Sequence, residues 1–331
     1  MYEHITGGGF IDAPLPASLR AEGELMLRAL VADLAAIARV RVVVMCDQRI
    51  DLADLPAKRR VVRDRAEWRT AFGALLAASD ALWPIAPETD GELERLSRAA
   101  LDAGRSLLNS RPEAVRVAAS KRATAQALAA AGVPVIPTYA PGGAPPGAPG
   151  QWVTKPDDGC GCKEARRWHD LEAAARWIGA QAAPSRYVLQ PYVPGAAASL
   201  CVLARDGATR VLSVNRQRIA VRDGRFAFLG AVVGELADDD GRYARLAERV
   251  ARAIPGLWGY FGVDLVLGAD GPIVVEVNPR LTTSYVGLGA ALGGNPAALV
   301  LGLLGGEGDL PAAPPACRPQ RVAVDVARSD A

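Results

Sequence analysis

The 331 residues are 50% hydrophobic and 22% charged, with 38 basic residues nearly cancelling 36 acidic ones to a net charge of +2. A chain this long and apolar buries a sizeable core in two or three packed units rather than staying disordered, and its charge balance gives no global drive toward nucleic acid or an anionic membrane. The start, Met1-Tyr2-Glu3-His4, is no signal peptide, the most apolar stretches are too short or too Gly-rich to span a bilayer, and five cysteines lack framework spacing, so a cytoplasmic protein is expected.

Helical spacing over 17–37 precedes an apolar strand at 40–46, a helix over 67–78, a short apolar run at 81–86, a helix over 92–103 and a short strand at 106–109. Strands alternating with helices predict an open parallel α/β unit, with ligands at the carboxyl edge of its sheet, where Asp47-Gln48-Arg49 and Pro87-Glu88-Thr89-Asp90 fall. A helix over 120–131 follows, capped by Ser120 and stopped by Gly132-Val133-Pro134. A Pro/Gly/Ala loop (140–150), a strand (152–155) and an amphipathic helix (170–183) come next. Consecutive strands are then expected at 187–190, 199–204, 210–214 and 227–233, with a helix over 240–253. Two last strands, 260–267 and 273–277, are joined by the hairpin turn Asp270-Gly271. Beyond about residue 308 the tail is rich in Pro and Ala, apart from an alternating run at 321–326.

The last hairpin carries the clearest chemistry. Polar residues interrupt an apolar strand at Glu276, Asn278 and Arg280, two apart and so on one face, and Asp264 lies on the partner strand. Two carboxylates and an amide form a hard-cation site of oxygen ligands, suited to magnesium shared with nucleotide phosphates, and Arg280 adds a forked donor for a carboxylate or phosphoryl group. The loop Lys155-Pro156-Asp157-Asp158-Gly159-Cys160-Gly161-Cys162-Lys163 follows a strand, and its glycines permit close backbone approach to phosphate. It has no P-loop ending, and as an isolated feature it reads equally as a turn. Its Cys-x-Cys lacks the second pair that zinc requires. Tyr187-Val188-Leu189-Gln190-Pro191-Tyr192-Val193 runs from a strand into a proline-stiffened hinge, which is either an adenine-holding edge or a plain connection. Only four of the basic residues are lysine, namely Lys58, Lys121, Lys155 and Lys163.

Taken in this order, these pieces resemble the ATP-grasp superfamily of carboxylate–amine ligases over roughly residues 115–305. The resemblance implies an α/β (α+β) fold: an N-terminal Rossmann-like pre-ATP-grasp domain (1–112), a central subdomain (113–190), a C-terminal subdomain with the metal hairpin (191–308) and a tail (309–331). It implies ATP bound through Lys121, Lys155, Asp158, Gly159, Gly161, Gln190, Pro191, Tyr192 and Val193. Magnesium, or manganese in its place, would be held by Asp264, Glu276 and Asn278. Arg280 would steady an acyl-phosphate, and Arg216 or Arg218 would lie near the γ-phosphate. Glu276 to Leu288 and the start Tyr2 to Gly9 are similar to the tyramine–glutamate ligase group, which acts in assembly of a furan one-carbon carrier (methanofuran or methylofuran). The implied partners are glutamate and an aromatic amine or amino acid, with a homodimer left open. Other substrates, a carboxylase, and a regulator that binds ATP without turnover remain the alternatives.

Overall fold

Short parallel strands and helices alternate through the N-terminal unit of the computed structural model, which describes residues 1–145, 147–159, 162, 164–305, 310 and 318–323. In chain order these elements are β1 (Tyr2–Glu3), α1 (Ala17–Ala35), β2 (Val43–Asp47), β3 (Lys58–Val62), α2 (Arg65–Ala77), β4 (Ala81–Leu82), β5 (Pro84–Ile85), α3 (Glu92–Asp102) and β6 (Ser106–Leu107). The pairings β1–β5, β2–β3 and β4–β6 are all parallel, and the Met1 amino group donates to the Val43 carbonyl at 2.8 Å, drawing β1 against β2. Strand β3 carries Lys58-Arg59-Arg60, an outer-strand composition that hides it from hydrophobic patterning.

Two helices follow, α4 (Pro112–Ala119) and α5 (Lys121–Ala130), where patterning predicts only the second. Ser120 separates them, and its hydroxyl accepts from the Ala123 amide at 3.1 Å, the N-cap expected from the sequence. The central lobe holds β7 (Trp152–Pro156), β8 (Arg166–Trp168), α6 (Leu171–Gly179) and β9 (Tyr187–Pro191). The remaining elements are β10 (Ala196–Arg205), β11 (Ala208–Arg222), β12 (Arg225–Leu236), α7 (Arg242–Ala253), β13 (Gly259–Gly268), β14 (Gly271–Asn278), α8 (Tyr285–Leu292), α9 (Pro296–Gly302) and β15 (Gln320–Ala323).

The large sheet runs β14-β13-β10-β11-β12-β8-β7-β9, and β15 adds to β12. Among the described residues its two halves are joined at the Arg225–Arg166 pairing of β12 with β8, flanked by backbone hydrogen bonds from Arg167 to Gly224 and from Phe226 to Ala165. The sheet's two ends are tied by one segment: Ile136 donates to the Val274 carbonyl on β14, and Tyr139 exchanges backbone hydrogen bonds with Leu189 on β9. A curled sheet joined at both ends leaves a cleft between its halves.

Three larger cores and one small one hold this arrangement. Helices α4, α5 and α7 cover one face of β10, β13 and β14 through Ala118, Leu128, Leu246, Val250, Val263 and Val277. On the opposite face, Leu27 and Leu30 of α1 share a core with Leu203, Leu212, Tyr260 and Leu288, which fuses the N-terminal unit to the C-terminal lobe. Tyr285 donates to the Asp33 carboxylate at 2.7 Å and Asn295 to the Asp33 carbonyl at 2.7 Å, so α8 and α9 are pinned to α1. The third core lies within the N-terminal unit, around Trp68, Leu93 and Leu96. The central lobe has its own small core of Trp152, Ala174, Ile178, Tyr187 and Leu189. No single helix among the described residues is long and apolar enough to cross a membrane; α8 and the segment from α9 to Gly305 are bent by 93°.

Candidate active site

The hairpin forms in the expected register. Asp264 on β13 lies directly opposite Glu276 on β14, and Gly262 opposite Asn278. A turn closed by Gly271, at φ 121°, joins the strands. The Asn278 amide donates to the Asp264 carboxylate at 3.3 Å. A Cβ at Gly262 would lie 2.7 Å from the Thr282 methyl group, so only glycine lets the chain beyond Arg280 fold back over β13.

Both lysines reach Glu276, although 155 and 121 residues precede it. Their ammonium groups lie 3.6 Å (Lys121) and 4.0 Å (Lys155) from its Oε2, and both side chains are nearly buried. The juxtaposition is built by Asp157. Its carbonyl accepts from the Lys121 amide at 3.0 Å, and its carboxylate accepts from the Arg122 amide at 2.9 Å and the Ser120 hydroxyl at 2.7 Å. A carboxylate at a helix N-terminus is favoured by the helix dipole, so the end of β7 docks onto the start of α5 and brings the two lysines together. Lys121 also donates to the Gly159 carbonyl.

The electrostatics follow from this crowding. Burial lowers the Lys155 ammonium to about 8, against the pull of Glu276. Burial pushes Glu276 up as well, but Lys121 and Lys155 outweigh it and hold the group below its usual value. Asp264, half-buried, desolvated by its surroundings and facing the Glu276 charge, is raised to about 7. One carboxylate of the pair therefore has its counter-charges while the other lacks one, which is the condition a bound cation relieves. Among the described residues no group of three or more His, Cys, Asp or Glu is placed to hold a metal ion by itself. Two carboxylates and one amide would leave most of a cation's coordination to phosphate oxygens and water, as hard small cations require, so the donor set fits magnesium.

Arg280 lies two residues beyond β14 and does not continue its polar face as the spacing predicts, because Pro279 has no N–H for the ladder and the strand stops at Asn278. Its Nε lies 2.9 Å from the Glu88 carboxylate, in the loop after β5, and its Nη1 donates to the Leu281 carbonyl at 3.1 Å. Gln190 is buried and donates to the Thr138 hydroxyl at 2.7 Å. Pro191 ends β9, opposite Trp152, and the Tyr192 amide donates to the Gln151 carbonyl at 2.8 Å. The Arg167 guanidinium lies over the Tyr192 ring, and Val193 follows at the hinge. Asp158 and Gly159 follow Asp157; the Thr89 hydroxyl donates to the Asp158 carbonyl at 3.0 Å, linking this loop to the N-terminal unit. Gly161, like Cys160 and Lys163, lies outside the described residues. Cys162 has its thiol pushed up to about 12, chiefly by burial.

Neither arginine proposed on β11 has a described contact with this cluster. Arg216 lies 3.7 Å from Glu235, and Arg218 sits at a register shift. The β11 side chain that reaches Asp264 is Gln217, whose amide donates to Oδ1 at 2.9 Å. Sequence reasoning missed it because the two flanking charges are more conspicuous; the alternation from Asn215, in register with Ser199 and so with Asp264, is the signal that finds it. The sequence places Glu88 at the carboxyl edge of the sheet without a link to Arg280, and Asp157 within a loop without a link to α5. Of the residues after β14, Thr282 hydrogen-bonds Tyr260 at 2.8 Å and Thr283 donates to Glu22 of α1. His4 lies 3.1 Å from Glu92, and His169 is exposed beside Asp170.

Comparison with known proteins gives this cleft a family. The model of the ATP-grasp domain matches residues 118–284, and that of the pre ATP-grasp 3 domain matches residues 40–115. The tyramine–L-glutamate ligase of Methanocaldococcus jannaschii is 25% identical over 292 residues, covering 87% of this chain and 83% of that protein. The crystal structure of an ATP-grasp superfamily protein from Archaeoglobus fulgidus superposes with a TM-score of 0.72 at 24% identity, covering 97% of this chain and 90% of the other. The L-amino acid ligase of Bacillus licheniformis shares the fold with a TM-score of 0.66 at 18% identity, over 84% of this chain and 71% of its own. With its matched domain spanning half its length, this chain belongs to the ATP-grasp family.

Proposed function

We propose that the protein is an ATP-dependent carboxylate–amine ligase that activates a carboxylate as an acyl-phosphate and joins it to an amine. The observation that carries this reading is the meeting of Lys121, Lys155, Asp264, Glu276 and Asn278 in one cleft, with Arg280 at its edge. Binding of nucleotide alone does not call for a guanidinium beyond the acidic pair.

A free carboxylate is a poor acyl donor because its leaving group would be oxide. Attack of a carboxylate oxygen on the γ-phosphorus of ATP releases ADP and leaves an acyl-phosphate. The amine nitrogen then attacks the carbonyl carbon, phosphate departs with the C–O bond electrons, and the nitrogen loses a proton. Catalysis of this type rests on positioning and charge neutralisation. Lys121 and Lys155 would bind the phosphates from one wall. Asp264, Glu276 and Asn278 would hold magnesium, which when bound supplies further neutralisation of the phosphates. Gln217 keeps the Asp264 carboxylate oriented, and Arg280 faces the acceptor carboxylate and the oxyanion that forms on attack. Gln190 and the 191–193 hinge would border the adenine, and 158–161 would cover the phosphates. Arg216 and Arg218 would act at longer range, from β11.

For substrates we infer L-glutamate and tyramine or tyrosine, which the Methanocaldococcus relative and the Glu276–Leu288 resemblance support. On that reading the product feeds assembly of a furan one-carbon carrier, in the cytoplasm, with neither nucleic acid nor membrane as partner. The test is an ADP-release screen with Mg²⁺, ATP, glutamate and a panel of amines, with products read by mass spectrometry. Amide formation from glutamate carrying ¹⁸O in its carboxylates should leave one label in phosphate per amide. ADP release without amide, or unlabelled phosphate, would overturn the reading.

A further inference from the structure

A cavity of about 670 Å³ opens away from the ATP-grasp cleft, between β6 at the edge of the N-terminal sheet and the turn after β10. Arg205, on its wall, lies six residues along β10 from Ser199, which is in register with Asp264, so about 20 Å of strand separates this cavity from the acidic pair. Its size is that of a small-ligand site.

Its lining combines forked donors with apolar surface. Arg105 precedes β6, Asn109 and Arg111 follow it, and Arg205 ends β10, so three guanidinium groups meet one wall amide. Asp206 is the single acidic residue in the described lining. Two buried donors there have no hydrogen-bond partner among the described residues: Nε of Arg105, whose Nη2 is spent on the Ala77 carbonyl at 2.8 Å, and Nδ2 of Asn109, a residue only 3% exposed. Buried N–H groups without acceptors are uncommon in native folds, and an oxyanion supplies acceptors for both. The apolar part is equally unusual. Of the four large exposed hydrophobic residues among those described, Leu101 and Leu304 both border this cavity, with Trp258 beside them.

We propose that this cavity is a second small-molecule site, for an organic anion that joins a carboxylate or phosphate head to an apolar body. The head meets Arg105, Asn109 and Arg111, and the body lies on Leu101, Trp258 and Leu304. Arg111 is the residue before α4, and Lys121 opens α5 directly beyond, so the site stands at the head of the segment that delivers a cleft lysine. The proposal is independent of the ligase reading.

The test is a fluorescence titration of the full chain with 8-anilinonaphthalene-1-sulfonate, an anion with an apolar body, without and with saturating MgATP. Saturable binding of one equivalent is expected, unchanged by MgATP, and weakened at least about tenfold by Arg111→Glu and by Leu304→Asp. Both substitutions are at exposed positions and should leave the melting temperature and MgATP binding as they are. Competition by phenyl phosphate against phenylacetate assigns the head group, whichever displaces the dye at lower concentration. Absence of a saturable site, displacement by MgATP, or wild-type affinity in both variants overturns the proposal. So does binding that emerges only in a Glu307→Gln/Asp309→Asn chain, since the cavity would then serve the protein's own acidic segment.

Discussion

Arg280 and Glu88 form an ion pair of 2.9 Å with 11% and 7% of their side chains exposed, joining the segment after the β13–β14 hairpin to a loop of the N-terminal unit. A pair this sheltered is held for orientation more than for stability, because desolvation offsets most of its Coulombic gain. On the proposed reading, Glu88 would set the direction in which Arg280 presents its remaining donors to a substrate carboxylate.

Arg280→Ala should therefore lower kcat for amine-dependent ADP release by about a hundredfold, the cost of one oxyanion donor. Glu88→Gln, which keeps a hydrogen-bond acceptor but loses the charge, should lower it by about tenfold with MgATP affinity unchanged. Steady-state kinetics with calorimetric MgATP binding separates the two; equal kcat in Glu88→Gln and the wild type would contradict the orienting role.

Asp264 is expected to trade stability for function. A carboxyl raised to about 7 beside a charged neighbour is a burden on the ligand-free fold. Asp264→Asn should leave the melting temperature equal or higher and abolish the Mg²⁺ dependence of ATP binding. A large fall in melting temperature without ligand would show the carboxylate to be a structural group instead.

Lys155 should behave in the same sense from the other sign of charge. Burial already disfavours its ammonium, and Lys155→Met keeps the length of the side chain while removing that charge. The variant should fold with at least wild-type thermal stability and bind MgATP at least about tenfold more weakly. Unaltered nucleotide affinity would remove Lys155 from the phosphate wall.

Far from the cleft, Glu92 predicts an acid-dependent stability. Burial pushes its carboxyl up, but hydrogen bonds from His4 and Arg95 outweigh this and hold it at about 2. A depressed carboxylate contributes stability above its unfolded value, here near 4.5, and loses it as pH falls through the folded one. The stability advantage of wild type over Glu92→Gln in urea unfolding should thus be greatest at pH 7 and shrink below about pH 4.5. An advantage independent of pH would sink this assignment.

Legibility in the sequence tracked the range of the interaction. Asp264, Glu276 and Asn278 could be placed on one face because strand alternation and an Asp-Gly turn are local rules, and the hairpin forms in that register. The meeting of Lys121 with Lys155 could not be read, because it depends on Asp157 capping a helix that begins 36 residues earlier. Glu88 and Arg280 are farther apart still, and nothing periodic links them. Helices α8 and α9 are not legible because they are apolar throughout: even exposed positions such as Ala290 and Ala298 are small apolar residues, so no polar face marks the helical period. Strand β15 overlaps the alternating run expected at 321–326, of which 324–326 lie outside the described residues, but its partner β12 could not be read from the sequence.

The most direct measurement is calorimetric titration of ATP into the wild-type chain and into Glu276→Ala, each with and without Mg²⁺. The account predicts one Mg²⁺-dependent site in the wild type and a loss of at least about tenfold in the variant at unchanged fold. Equal affinity in both proteins, or binding indifferent to Mg²⁺, would contradict it.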